Sequence, residues 1–279
     1  MLLLAVLVTA FQGTDTTVTV RAGSRLELSS FEGDVSVQTW TRNAVRVEAD
    51  HDDETRVEVD QGGRTVSVRA RSRYGPPEVT WRLTVPADMA ISLSSHSGSV
   101  SVTGTKGELS VTSVEGDIVA HGGTGFVSLQ SVEGSIELTD ASGRIALSTV
   151  DGDIVVRNAR GSLKGNTVDG GIRLEGIESD EVDVSSVDGD ITFEGAIRAG
   201  GRYRFSSHDG NVGVIAPSIS ADVSVSTFSG EFESDFPVVL TGSQKNRRMN
   251  FTLGGGGARL ELESFAGTIS LRRTSGRKP

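Results

Sequence analysis

The sequence predicts an all-β chain, a β-solenoid built like a parallel β-helix from 18-residue coils, with an irregular β cap at its N-terminal end. Three observations carry that prediction. A phrase of the form Val-Asp/Glu-Gly-Asp-Ile recurs, and its glycines Gly98, Gly116, Gly134, Gly152, Gly170, Gly189 and Gly210 are spaced by 18 residues four times, then 19, then 21. A second series, Gly107, Gly125, Gly143 and Gly161, falls midway and divides each repeat into two nine-residue halves of the form Gly-x-apolar-x-apolar. Within each half, apolar and polar residues alternate, which is the period of a half-buried strand.

The elements follow in chain order. Met1 to Ala10 is a short apolar run ending Val8-Thr9-Ala10, the small-residue pattern of a signal-peptidase site, so residues 1–10 are read as a signal peptide. The run is about half of the ~20 residues needed to cross a bilayer. Residues 16–90 contain strands such as Thr17–Val20, Val45–Glu48, Thr65–Val68 and Val79–Val85, but lack the 18-residue register. Only Phe31-Glu-Gly-Asp-Val35 resembles the repeated phrase there. This region is read as a cap, since an open solenoid end is a sheet edge that invites aggregation.

Residues 91–273 are read as the solenoid. Ile118/Ala120, Val127/Leu129, Ile136/Leu138, Ile145/Leu147, Ile154/Val156, Ile172/Leu174, Val182/Val184 and Ile191/Phe193 should point inward. Nine-residue strand-and-turn units fit either an antiparallel meander or stacked parallel coils. Sequence matches are closer at 18 than at 9, which favours coils stacked about 4.8 Å apart with like residues above one another. Glycine suits the corner because a side chain in a left-handed conformation costs about 1–2 kcal/mol. Looser echoes at Gly230 and Gly267 extend the pattern, and residues 274–279 form a basic tail expected to be disordered.

Composition agrees with thin layers rather than one large core: 35 Gly, 6 Pro, 36% hydrophobic and 5% aromatic residues. A net charge of −10 argues against nucleic-acid and anionic-membrane partners, because phosphates are held by clustered Lys and Arg. The absence of Cys rules out disulfides and thiolate metal sites.

Leu83-Thr-Val-Pro-Ala-Asp88, then Ile91-Ser-Leu93, the repeated units and a closing Ala258-Arg-Leu-Glu-Leu-Glu-Ser-Phe-Ala-Gly-Thr-Ile-Ser-Leu271 resemble a bacterial β-strand-repeat family of unknown function, labelled "putative adhesin". The resemblance covers about residues 30–273. It implies an exported or envelope-associated β-solenoid, and no catalytic residues.

The sharpest candidate site is acidic. Glu115, Glu133, Asp151, Asp169 and Asp188 form one column, and Asp117, Asp153 and Asp190 a second. Neighbouring carboxylates at about 5 Å repel by roughly 0.8 kcal/mol in water, which bound Ca²⁺ would relieve. The competing reading is solvated turns, favoured because Gly-Gly-x-Gly-x-Asp copies are missing. His51, His96, His121 and His208 lack a metal-ligand spacing, with His96 and His208 in the motif position held elsewhere by Val114 or Val150. The serines, with no Gly-x-Ser-x-Gly elbow, are read as outer-face strand residues. Gly254 to Gly257 is read as a turn, since no Lys-Ser/Thr follows. Asp151 and Asp153 are the pair an acid–base glycosidase would need, but uniform coils leave no loops to build a cleft. Trp40, Trp81, Tyr74 and Tyr203 are read as core or cap packing.

The expectation is therefore a non-enzymatic, exported cell-envelope protein, periplasmic or extracellular, that needs no cofactor and presents a β surface to an envelope partner or to its own copies. The alternatives are a carbohydrate-active enzyme on the same scaffold and a calcium-binding surface repeat protein.

Overall fold

A computed structural model describes residues 13–238 and 248–274. These residues form strands and connecting turns with no helix, so none is long and apolar enough to cross a membrane. The expected signal segment 1–10 and the basic tail beyond Thr274 lie outside the described residues.

Each coil consists of two strands joined at glycine corners, and successive coils pair in parallel. On one side Leu109 pairs with Val127, Val127 with Ile145, and Ile145 with Leu163, each step being 18 residues. The steps then widen as the glycine spacing does, Leu163 pairing with Val182 and Val182 with Tyr203. The opposite side runs Ile118, Ile136, Ile154, Ile172, Ile191 and Val212 in the same manner. The parallel arrangement, not the meander, is the one the chain adopts.

Alternation then puts one residue in two between the two sheets. All sixteen residues expected to face inward are buried, Ile118, Leu138, Ile154 and Val184 completely. A buried aliphatic side chain of this size contributes about 1.5–3 kcal/mol, so the core is a ladder of similar small contributions. Where coils lengthen towards the C-terminal end, larger side chains fill the space: Phe193 packs against Tyr203 and Phe205 at ring distances of 5.9 and 5.3 Å.

The corner glycines let neighbouring backbones approach. A Cβ on Gly134 would lie 2.4 Å from the carbonyl oxygen of Gly116, and one on Gly152 equally close to that of Gly134. Behind this corner stands a feature the sequence reading misplaced. Ser113, Ser131, Thr149, Thr167, Ser186, Ser207 and Ser264 are buried, not on the outer face. Thr149 Oγ1 donates to the Gly134 carbonyl at 3.0 Å, Thr167 to Gly152 at 3.1 Å and Ser186 to Gly170 at 2.9 Å. The hydroxyls satisfy carbonyls that the turn leaves without a strand partner, which a buried peptide group requires.

At both ends, spatial order departs from chain order. The coil of Arg25–Glu32 and Val35–Trp40 lies between the strands Thr65–Ser72 and Thr80–Pro86 on one side and Ala90–Ser97 and Val100–Thr105 on the other. Phe31 to Val35 therefore extends the repeat in register. Around it, Gly13–Thr19, Ala44–Asp50 and Thr55–Gly62 pair antiparallel. Correspondingly, the coil of Ala258–Ser264 and Ile269–Arg273 lies between Arg202–Ala216 and Ala221–Ser234, and Arg248–Leu253 closes antiparallel on Ala221–Thr227.

The four aromatic residues divide. Trp81 is fully buried with Nε1 donating to Ser30 Oγ at 3.1 Å, and Tyr203 is fully buried. Trp40 is half-buried, its Nε1 donating to the Ala44 carbonyl. Tyr74 differs from the packing expected of it: it is 70% exposed on the turn after Ser72.

Candidate functional site

The turn that carries the repeated phrase has a fixed order of directions. In the sequence Ser113-Val114-Glu115-Gly116-Asp117-Ile118, Ser113 points in, Val114 and Glu115 point out, and Ile118 points in again. Two exposed residues in succession break the alternation at the corner, and the register repeats the break in every coil.

The acidic residues therefore stack as expected. Glu115, Glu133, Asp151, Asp169 and Asp188 are bridged in sequence through their backbones, and Asp209 continues the column beyond Asp188. All are exposed. The second column has a structural task. Asp117 Oδ1 accepts the backbone N–H of Ser135 at 2.8 Å, Asp153 that of Gly171 at 2.7 Å, and Asp190 that of Asn211 at 2.7 Å. Each carboxylate thus ties its turn to the next coil. Among the described residues, no three His, Asp or Glu side chains gather in a way that could hold a metal ion.

His96 and His208 occupy the valine position, and each meets a ring. His96 lies 4.7 Å from the ring of Phe31, and His208 stacks on Phe265 at 4.9 Å with Phe265 in turn on Phe228 at 4.7 Å. His121 pairs with Asp140 at 3.0 Å, and His51 with Thr14 at 2.9 Å.

These rings reveal the feature that sequence reasoning missed. Phe31, His96, Val114, Val132, Val150, Val168, Val187, His208, Phe265 and Phe228 occupy equivalent positions in ten successive coils. The five valines are 37–50% exposed, Phe31 44%, Phe265 46% and Phe228 55%. Ten residues at about 4.8 Å per coil make an apolar ridge about 43 Å long. A contiguous exposed apolar line is uncommon on soluble proteins and marks interaction surfaces. One flank is the acidic column, and the other is uncharged: Thr112, Gln130, Ser148, Asn166 and Ser185. The signal was present in the sequence, since a valine precedes the acid in five consecutive repeats where a polar residue would satisfy the alternation.

At the C-terminal end the ridge borders a shallow groove of about 650 Å³, lined by His208, Phe228, Phe265, Ser207, Thr227 and Glu263, among others. Asp151 and Asp153 stand exposed on the corner, with Asp153 engaged by the Gly171 N–H.

The family model described as Toastrack DUF4097 matches residues 87–195 and 149–272. No curated protein matches the chain in sequence. Among solved structures, a "putative adhesin" from Parabacteroides distasonis is 9% identical, with a TM-score of 0.52 over 94% of this chain and 98% of its own. A "putative adhesin" from Bacteroides fragilis is 13% identical, with a TM-score of 0.50 over 93% and 97%. A "putative lipid binding protein" from Parabacteroides distasonis is 10% identical, with a TM-score of 0.50 over 94% and 97%. At these identities the likeness is one of fold.

Proposed function

We propose, because this chain belongs to the Toastrack DUF4097 family and carries an exposed ridge along its stack, that it is a non-enzymatic, exported cell-envelope protein presenting a rigid interaction surface. The observation that carries the reading is the apolar column Val114, Val132, Val150, Val168 and Val187 at the corner of a stack whose inward positions are fully packed. Exposed aliphatic residues repeated at one position contribute nothing to the core they turn away from. The name "putative adhesin" borne by proteins of similar fold agrees with such a role. In this reading residues 16–90 close one end of the stack and add Phe31 to the ridge, residues 91–273 bear the rest of it, and the acidic columns are surface charge and turn ties.

The test is photocrosslinking in the cells that make the protein, with p-benzoylphenylalanine in place of Val150 or of Lys164. Lys164 is exposed on the flat outer face of a strand. Crosslinks are expected from position 150 and not from position 164. Equal labelling at both positions, or release of reducing ends from envelope polysaccharide by the purified protein, would overturn the proposal.

A further inference from the structure

Resting on the reading of the ridge as an interaction surface, we infer that its partner is a cationic amphipathic α-helix lying along the stack axis over the segment Val114 to Val187.

The charge pattern selects the sign. Val114 is followed by Glu115, Val132 by Glu133, Val150 by Asp151, Val168 by Asp169 and Val187 by Asp188, so each exposed valine has a carboxylate on the same side. A partner that covers the valines must place cations along that flank, or it leaves five carboxylates desolvated without a counter-charge. A second copy of this chain cannot do so. Two ridges paired antiparallel bring their acidic columns together, and paired parallel they bring each acidic column against the uncharged column of Thr112, Gln130, Ser148, Asn166 and Ser185. The net charge of −10 opposes both.

The spacing selects the secondary structure. Side chains along the ridge recur about every 4.8 Å, running across the strands. An extended strand laid along the ridge offers same-face side chains only every ~6.6–6.8 Å, and it falls out of phase within two coils. An α-helix presents its apolar stripe about every 5.4 Å, a drift of about 0.6 Å per coil. Set in phase at Val150, the helix drifts by about 1.2 Å, a quarter of a coil spacing, by the time it reaches Val114 on one side and Val187 on the other, so all five contacts stay within reach over about 13 helical residues. Lysines or arginines beside the apolar stripe at i+3 or i+4 then face successive carboxylates. The convex valine line enters the furrow beside the helix stripe, as in the helix-in-groove mode with the roles of ridge and groove exchanged.

The probe is a labelled synthetic 18-residue peptide with a leucine stripe at helical spacing and lysines along one flank, titrated with the full chain by fluorescence anisotropy. A peptide of the same composition with the stripe scrambled, and one with glutamates for lysines, serve as comparisons. The patterned lysine peptide is expected to bind at least about tenfold tighter than either, with weakening in salt and a gain of helical circular dichroism on binding. The protein variant V132S/V150S/V168S should lose about tenfold in affinity, and E133Q/D151N/D169N should lose affinity together with its salt dependence. Every position is exposed, so both variants should retain the far-UV spectrum of the parent. Equal binding of the scrambled peptide would reduce the contact to charge alone and overturn the inference. Unchanged affinity of the valine variant would overturn it as well, as would binding of phosphatidylcholine vesicles through the valines in place of the peptide. If the peptides fail while position 150 still crosslinks in cells, only the helical partner falls. If position 150 crosslinks nothing, the interaction surface itself falls.

Discussion

Replacing Gly152 by alanine isolates the close approach on which the corner depends. Gly152 has φ of +149°, and an added Cβ would lie 2.4 Å from the Gly134 oxygen, 2.6 Å from its carbon and 3.0 Å from Ser135 N, all of them backbone atoms that cannot swing aside. Moving the two coils apart by the missing ångström strains the contacts that join them there. These are Gly134 N–H to the Asp151 carbonyl at 2.8 Å and Thr149 Oγ1 to the Gly134 carbonyl at 3.0 Å. A left-handed φ on an L-residue costs about 1–2 kcal/mol, and each hydrogen bond lost about 0.5–1.5 kcal/mol. The expected destabilisation is therefore about 3 kcal/mol. Two other glycines separate the contributions. Gly63 has φ of +63° with nothing within 4 Å of an added Cβ, so Gly63→Ala should show the φ cost alone, about 1 kcal/mol. Gly62 is equally open and lies outside the left-handed region, so Gly62→Ala should be neutral or stabilising by about 0.4–1 kcal/mol. Urea unfolding followed by far-UV circular dichroism measures all three, with the slope of the transition checked for loss of cooperativity across the stack. If Gly152→Ala matched Gly63→Ala, backbone proximity would not be what fixes glycine at the corner.

Five further outcomes are expected. Ile154→Asp buries a carboxylate without a counter-charge and gives up about 1.5–3 kcal/mol of aliphatic burial. Asp153→Asn keeps the oxygen that accepts the Gly171 N–H and should be nearly silent, whereas Asp153→Ala should cost about 1 kcal/mol in the same urea titration. Tyr203→Phe removes the hydroxyl that donates to the Ser179 carbonyl at 2.7 Å and accepts the Arg198 N–H at 2.9 Å, and should lower stability by about 1–3 kcal/mol. The Asp235 carboxyl is held below the usual carboxylate range by the backbone N–H of Arg273 and then by the Arg272 guanidinium. Its contribution is complete above the unfolded carboxylate range near pH 4 and is lost as pH falls through the lower folded value, so the protection of the Ile269–Arg273 amides, taken relative to their intrinsic exchange rate at each pH, should fall on acidification. Calcium should leave the melting temperature unchanged if the acidic columns are solvated charge, and a rise of several degrees would favour the cation ladder instead.

Much of the fold was legible because it is repeated. The 18-residue glycine spacing and the alternation around Ile118, Ile136 and Ile154 are each weak locally, but they agree from coil to coil. The direction of Ser131 and Thr149 was not legible from alternation, because a strand pattern counts a hydroxyl as polar, while a turn carbonyl one coil away converts it into a buried donor. The exposure of Val114 and Val132 was hidden by the same rule in reverse, since the count carries an apolar residue inward even where the corner turns it out. The placement of Phe31 to Val35 and of Ala258 to Leu271 depends on which coil lies on either side, and a coil has the same local sequence in any layer.

The inserted coils also constrain how such a protein changes length. Residues 25–40 and 258–273 are each held by parallel neighbours on both sides, so the first and the last two-strand coils of the sequence are interior layers and not edges. A duplicated 18-residue unit between Ala90 and Ala216 needs only a matching neighbour above and below, and leaves both closures undisturbed. A unit appended after Arg273 would find its adjoining layers already taken. Lineages of this protein should therefore lengthen and shorten from the middle, with the ridge gaining or losing one valine and one carboxylate at a time while the two ends are inherited whole.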